Sequence, residues 1–343
     1  MIPFRKGAAA AVACVAVFGA APAIAQAPLT YSSWVPPTHH LTIWQANWAA
    51  EVEKATGGRV KFQGLAQPPA KAPGTFDAVQ DGLVDLSYVT ASYTPARHIL
   101  PLMAELPGAG NTAEINSVAY SRIHWKYFQK YGEYKGVKLL AVWTHGPGQM
   151  FTKKPIKSLA EFKGQKIRTG GGIAEQMANG LGGSAFVKPA PESYELLSSG
   201  VADGVFFPFE SIVSFKLDKL IGQATVFPGG LYSSSFGFFM NEGKWNKIAK
   251  QDQAIIEKHA YEYAARSNGQ SWDRADKVGL DALKAAGANI VQADAAAQAE
   301  AKKVGGPVIE EWIKAANARY KGLDARAALA EFHAELKKVA AGK

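Results

Sequence analysis

Two α/β lobes crossed by one long helix is the fold class this chain predicts, and three observations carry it. Between Thr38 and Phe207, segments with helical periodicity alternate with short apolar runs, the spacing of βαβ crossovers and mostly parallel sheets. Ala78–Asp85 (AVQDGLVD) is echoed by Leu196–Asp203 (LLSSGVAD), each a helix end, a glycine stop and a strand opened by an aspartate, as two similar lobes would give. A polar–apolar pattern from Asp252 towards Ala285 would reach about 50 Å if continuous, longer than one small lobe.

The elements follow in order. Thr38–Ala55 predicts a helix capped by Thr38, with Leu41, Trp44, Trp48 and Val52 on one stripe and Gly57-Gly58 stopping it. Arg59–Gly64 alternates as a strand. Thr75–Asp81 is helical, Leu83–Thr90 a strand, Ala113–Tyr131 a helix and Val137–Trp143 a buried strand. Next come a helix near Ser158–Phe162, strand Gln165–Thr169, helix Ile173–Leu181, strand Ala185–Lys188, helix Pro191–Ser199 and strand Val201–Phe207. Ser233–Asn241 reads as a strand. The long helix follows, interrupted at Ser267-Asn268-Gly269, and a helical tail runs over Asp294–Tyr320 and Ala325–Val339, broken by Gly305-Gly306-Pro307. The tail reads as packing rather than site.

The first residues set the compartment. Arg5 and Lys6 precede an apolar run from Ala8 to Ala20 and a small-residue site at Ala23-Ile24-Ala25, which predicts a cleaved signal peptide over 1–25 and an exported, periplasmic protein. The only cysteine, Cys14, falls inside that leader, so disulfides, thiolate nucleophiles and Cys-ligated metals are excluded from the mature chain. Removing Arg5 and Lys6 from 38 basic residues leaves 36 against 29 acidic ones, a net charge of +7. Mild basicity without a Lys/Arg cluster among aromatics favours an anionic small molecule over nucleic acid. The roughly 317 residues that remain suggest two domains.

The chemistry concentrates at Arg168. It ends a predicted strand and is followed by Thr169, the glycine turn Gly170-Gly171-Gly172 and a helix start. Ligands sit beyond the carboxyl ends of strands in open α/β sheets. Free N–H groups at Gly171 and its neighbours favour an anion, and a guanidinium matches a carboxylate. A solvated arginine at a strand end is the competing reading. The turn does not fit a dinucleotide fingerprint, because its third glycine position falls on Glu175.

The run KSLAEFKGQKIRTGGGIAEQMANGLGGSAFVKPAPESYELLSSGVADGVFFP (Lys157–Pro208), with YSSWVPPTHH and FDAVQDGLVDLSYV nearer the start, resembles the periplasmic substrate-binding proteins of TRAP transporters, the DctP-like family. The resemblance covers nearly the whole mature chain. It implies a two-lobed, hinged binding protein that captures an organic acid and delivers it to a membrane permease; no cofactor is expected, and a monomer is the default reading. The lobes would comprise residues 26–145 with 233–272, and 146–232 with 273–343. The hinges would lie near His145–Phe151 and Gly230–Ser234. Arg168 matches the family arginine that pairs with a ligand carboxylate.

Departures from the family pattern bear on the ligand. Phe207 stands where relatives often carry asparagine, and no second arginine occurs in Thr144–Gln149. An unpaired second carboxylate buried among aromatics costs several kcal/mol, so an apolar or aromatic monocarboxylate is expected. A C4-dicarboxylate or 2-oxo acid is the alternative within the family, and an exported hydrolase the distant one. Phe207, Trp34, His39, His145, Gln149 and Tyr232 are the further candidates, with Tyr31 beside them. Core packing competes for Phe207 and Trp34, as capping or solvation does for His39. His39-His40 lacks a third metal ligand at helical or loop spacing, so no metal is expected. No G-x-S-x-G, H-E-x-x-H or P-loop pattern supports catalysis.

Overall fold

A computed structural model describes Met1, residues 27–110 and residues 112–343. The expected leader, Cys14 included, lies outside the described residues. Among the described residues, eleven strands form two sheets. The first runs β2 (Phe62–Gly64), β1 (Leu29–Tyr31), β3 (Leu86–Thr90), β10 (Ser235–Asn241), β4 (Val137–Thr144). The second runs β11 (Asn289–Gln292), β9 (Gln223–Val226), β5 (Gln149–Thr152), β8 (Gly204–Phe207), β6 (Lys166–Thr169), β7 (Ser184–Val187).

Each sheet is parallel but for one strand, β10 in the first and β5 in the second. These are the two strands entered from the other sheet. The chain leaves β4 at its carboxyl end, crosses, and must run away from the junction along β5; β9 to β10 repeats the step in reverse. The crossovers pair with each other: Gly148 N donates to Tyr232 O at 2.8 Å, Leu231 N to Gly148 O at 2.9 Å, and His145 N to Ser234 O at 3.1 Å. The carboxyl ends of β3, β4, β6 and β8 therefore face one cleft.

Helices α1 (His40–Ala55), α2 (Thr75–Gln80) and α3 (Ala113–Ile123) cover the first sheet; α4 (Leu159–Phe162), α5 (Gly172–Gly180), α6 (Ser193–Ser198) and α7 (Glu210–Ser214) follow in the second half. The chain ends with α8 (Glu242–Lys247), α9 (Lys250–Lys258), α10 (Tyr261–Ala285), α11 (Ala295–Arg319) and α12 (Ala325–Ala340). The α1 stripe is buried as expected. Trp44 and Trp48 set their edges on Phe238 of β10 at 5.4 and 4.9 Å, while the next residue, Phe239, meets Phe76 of α2 on the opposite face.

Several boundaries differ from expectation. His39, not Thr38, caps α1 by accepting the Leu41 N–H. The strand from Arg59 shrinks to Phe62–Gly64, and the helix from Ala113 turns into a π-turn at His124–Phe128 and a short 3₁₀ turn. Gly305-Gly306-Pro307 does not break α11, because Gly305 rests close on Pro107 and packing carries the helix through. The long pattern breaks at His259-Ala260 rather than at Ser267-Asn268-Gly269, which leaves α10 at 25 residues, about 37 Å.

Those residues are where α10 meets the first sheet's helices. A Cβ on Gly269 would stand 2.5 Å from the Glu114 Cα, and Asp273 one turn on accepts the Ala113 and Glu114 N–H groups at 2.7 and 3.1 Å, capping α3. The motif repeats towards the second sheet: Gly279 touches the Phe209 carbonyl, and Asp276 accepts the Glu210 N–H at 2.7 Å. One helix is thus fastened to both halves by a glycine and an aspartate each.

Candidate ligand-binding site

A small cavity lies in the cleft. Arg168 comes from the end of β6, is only 2 % exposed, and forms no ion pair among the described residues. Its Nε and Nη2 both donate to the Lys188 carbonyl, at 2.9 and 2.6 Å. That fixes one edge of the guanidinium and leaves the end-on edge, Nη1 with the second Nη2 proton, for another acceptor. Burial lowers the Arg168 pKa from its usual value, but the group stays cationic, since arginine does not deprotonate in proteins. Tyr93 and Tyr232 stand beside it. Tyr93 Oη accepts the Ala190 N–H at 2.8 Å, so its own proton is free to donate, and burial pushes both phenols up, keeping them as O–H donors.

The wall is aromatic. The Arg168 guanidinium lies 4.3 Å over the Phe207 ring, Phe207 stacks on Phe215 at 5.6 Å, and Phe215 meets His39 at 5.6 Å. Trp34 uses its indole N–H on Tyr88 O at 2.9 Å and offers only a ring face. Phe236 and Trp272 add two further rings to the lining. His145 donates Nδ1–H to Gly146 O and is held neutral by burial, its pKa lowered to about 4.

Beyond Phe215 stands a second polar group. His39 Nε2 lies 3.1 Å from Glu210 Oε1, joining α1 to α7. Glu210 also accepts the Ser211 hydroxyl at 3.1 Å and the Ser214 hydroxyl. The fold thus supplies what the spacing of His39-His40 lacked, a third potential metal ligand, and the three donor atoms lie within 4.8 Å of one another. The hydrogen bonding argues against a metal there. His39 Nδ1 accepts the Leu41 N–H at 3.2 Å, so the neutral ring carries its proton on Nε2, the atom a metal would need bare. The arrangement is a hydrogen-bonded pair.

Of the residues expected at the site, Arg168, Phe207, Trp34, His39, His145 and Tyr232 line the cavity. Gln149 does not: its amide is spent on the Phe227 backbone, accepting N–H at 2.7 Å and donating to the carbonyl at 3.3 Å, which ties β5 to the end of β9. Gly171 lies against the Ser92 carbonyl and Val187, and Gly170 takes the lining position. Tyr31 packs under Gly64 on the edge strand. Phe206 points to the opposite face of β8, stacked with Phe162 and Tyr232, and Phe209 packs on Phe151. Sequence reasoning missed Tyr93, Glu210, Phe215, Phe236 and Trp272. Trp272 and Glu210 carried a usable signal, a tryptophan amid the long helix and an acid two residues after Pro208.

Under the cavity, Glu105 is fully buried; Oε1 accepts the Ser235 N–H and hydroxyl at 3.0 and 2.8 Å, and Oε2 has no partner. Burial pushes its pKa from 4.5 up to about 8. Below about pH 4.5 folded and unfolded chains are both protonated there; as pH rises towards 8 only the unfolded chain ionises, and stability is lost. The buried His98, His124 and His145, lowered to about 3, 3 and 4, act with the opposite sign: their contribution is intact above 6.5 and lost as pH falls. Glu105→Gln should therefore gain melting temperature over wild type at pH 8 relative to the same difference at pH 5. A difference that does not change with pH would place the Glu105 pKa near its ordinary value.

Two hinged α/β halves around one cation-headed, aromatic-walled cavity define a solute-binding protein. A family model for bacterial extracellular solute-binding proteins, family 7 (DctP), matches residues 31–315, and the chain belongs to that family. It is similar to the TRAP periplasmic solute-binding protein of Bordetella bronchiseptica with bound (R)- and (S)-mandelate, at 44% identity and a TM-score of 0.88, over 92% of this chain and 100% of that one. It is also similar to a marine-metagenome TRAP solute-binding protein specific for aromatic acid ligands, solved with 3-hydroxybenzoate: 32% identity, TM-score 0.83, 90% of this chain and 98% of that one. Among curated proteins, the outer membrane transporter protein TsaT of Comamonas testosteroni is 29% identical over 290 residues, 84% of this chain and 85% of its own. The family and these structural neighbours are solute-binding proteins, and no helix among the described residues is long and apolar enough to cross a membrane.

Proposed function

We propose that this protein is the periplasmic component of a TRAP transporter that captures an aromatic or otherwise apolar monocarboxylate and hands it unchanged to the membrane permease, acting as a monomer. One observation carries the reading: among the described residues Arg168 is the only Lys or Arg lining the cavity, it stacks on Phe207, and Trp34, Tyr93, Phe215, Tyr232, Phe236 and Trp272 add six more aromatic rings to the wall. The ligand carboxylate takes the end-on edge of Arg168 with the Tyr93 and Tyr232 hydroxyls. Its body lies against Phe207, Phe215 and Trp34, where ring contacts contribute roughly 0.5–1.5 kcal/mol each beyond area burial. The aromatic acids bound by the similar structures support this choice of ligand. The closing bodies are built on the two sheets and rotate about the paired crossovers at Gly148 and Tyr232. The tail does not divide at residue 272 as expected, since Asp273 caps α3 and Glu335 of α12 pairs with Arg122 of α3, so α12 moves with the first body.

A side-by-side titration tests the ligand class. Mandelate, benzoate and 3-hydroxybenzoate should raise the melting temperature by several degrees at saturating concentration and be recovered chemically intact. Succinate and malate should bind more weakly than all three. If succinate outranks every aryl acid, the aromatic reading of Phe207 is wrong.

A further inference from the structure

Resting on that ligand class, we infer that Glu210 is the residue that selects at the ligand's far end, accepting a hydrogen bond from a hydroxyl there and turning away a second carboxylate. The wall gives the direction. Arg168, Phe207, Phe215 and His39 follow one another at 4.3, 5.6 and 5.6 Å, and Glu210 lies on the far side of His39 Nε2 at 3.1 Å. An aryl acid with its carboxylate on Arg168 and its ring along Phe207 and Phe215 points its distal substituent at this pair.

The chemistry of the pair decides what it accepts. Glu210 is the only acidic residue among the cavity-lining residues, 1 % exposed, and fastened through its backbone N–H to Asp276 at 2.7 Å. Oε1 is occupied by His39 and Ser214; Oε2 takes only the Ser211 hydroxyl. A carboxylate has about four acceptor sites, so one lone pair on Oε2 remains for a ligand donor. His39 cannot supply a compensating donor to a second carboxylate, since its Nδ1 already accepts from Leu41 and its Nε2 proton faces Glu210. A distal hydroxyl meets an acceptor, whereas a distal carboxylate meets a like charge in a poorly screened cavity.

The test uses benzoate substituted at the 3- or 4-position with hydroxyl, carboxylate or carboxamide, titrated calorimetrically into wild type and Glu210→Gln. In wild type the hydroxy acids should bind at least tenfold more tightly than the dicarboxylates, with the neutral carboxamides also ahead of the dicarboxylates. In Glu210→Gln the ratio of dicarboxylate to hydroxy-acid dissociation constants should fall at least tenfold. An unchanged ratio in a folded variant overturns the inference, as does equal binding of carboxamide and dicarboxylate to wild type, a comparison that needs no variant. Failure of wild type to bind benzoate itself would instead overturn the proposed ligand class.

Discussion

Arg168→Ala should weaken aryl-carboxylate binding by about a hundredfold or more, and Arg168→Lys should not restore it. The magnitude follows from two charge-assisted hydrogen bonds on the end-on edge, each contributing about 1.5–3 kcal/mol. The failure of lysine follows from geometry. Arg168 holds the Lys188 carbonyl with one edge, lays its face over Phe207 at 4.3 Å, and still has an edge to spare. An ammonium is a point charge that cannot satisfy the carbonyl, the ring and a bidentate carboxylate together. Calorimetry at fixed pH and salt checks this. Wild-type affinity in either variant would move the anion site away from β6.

How much of this was legible in the sequence differs by residue. Arg168 could be found because its setting is local: a strand end, a glycine turn and a helix start within a few positions. Phe207 stood out at the end of a different strand, β8, because an aromatic ring stands there where relatives often carry asparagine. Glu210 was missed although it stands two residues after Pro208, because its partner His39 lies far off in sequence and only the tertiary fold brings α1 and α7 together. Gln149 was misassigned because proximity to a crossover does not say which way a strand residue points; its amide turned to Phe227. The reversed strands β5 and β10 have the same apolar pattern as their parallel neighbours, so direction was invisible to periodicity. The glycines misled in a consistent way. Gly269 and Gly305 read as helix breakers, yet both sit where another element approaches closely and packing overrides propensity.

That lesson makes Gly279 the most sensitive position away from the cavity, and Gly279→Ala should both destabilise the protein and loosen ligand binding. A methyl at this position of α10 would lie 1.9 Å from the Phe209 carbonyl oxygen and 3.0 Å from the Glu210 nitrogen. Both contacts are backbone, so no side chain can swing aside. Overpacking of this kind costs about 1–3 kcal/mol or more, against which the helical preference of alanine over glycine returns about 1 kcal/mol. The strain has a direction. Relief requires the start of α7 to move away from α10, breaking the Glu210 N–H to Asp276 bond and shifting the segment that follows Phe207. The wall over Arg168 then opens, and aryl-acid affinity should fall at least tenfold although no cavity side chain has changed. Gly306→Ala is the matched control: it lies in the interior of α11 with nothing within 4 Å of its added Cβ. Its stability should change by less than about 1 kcal/mol, the gain from replacing a helical glycine being offset by crowding of the new Cβ against the ring of Pro307, and it should bind as wild type does. Urea unfolding and calorimetry on the two variants separate the cases; a Gly279→Ala protein as stable and as tight-binding as wild type would mean that α10 does not hold the second half at this contact.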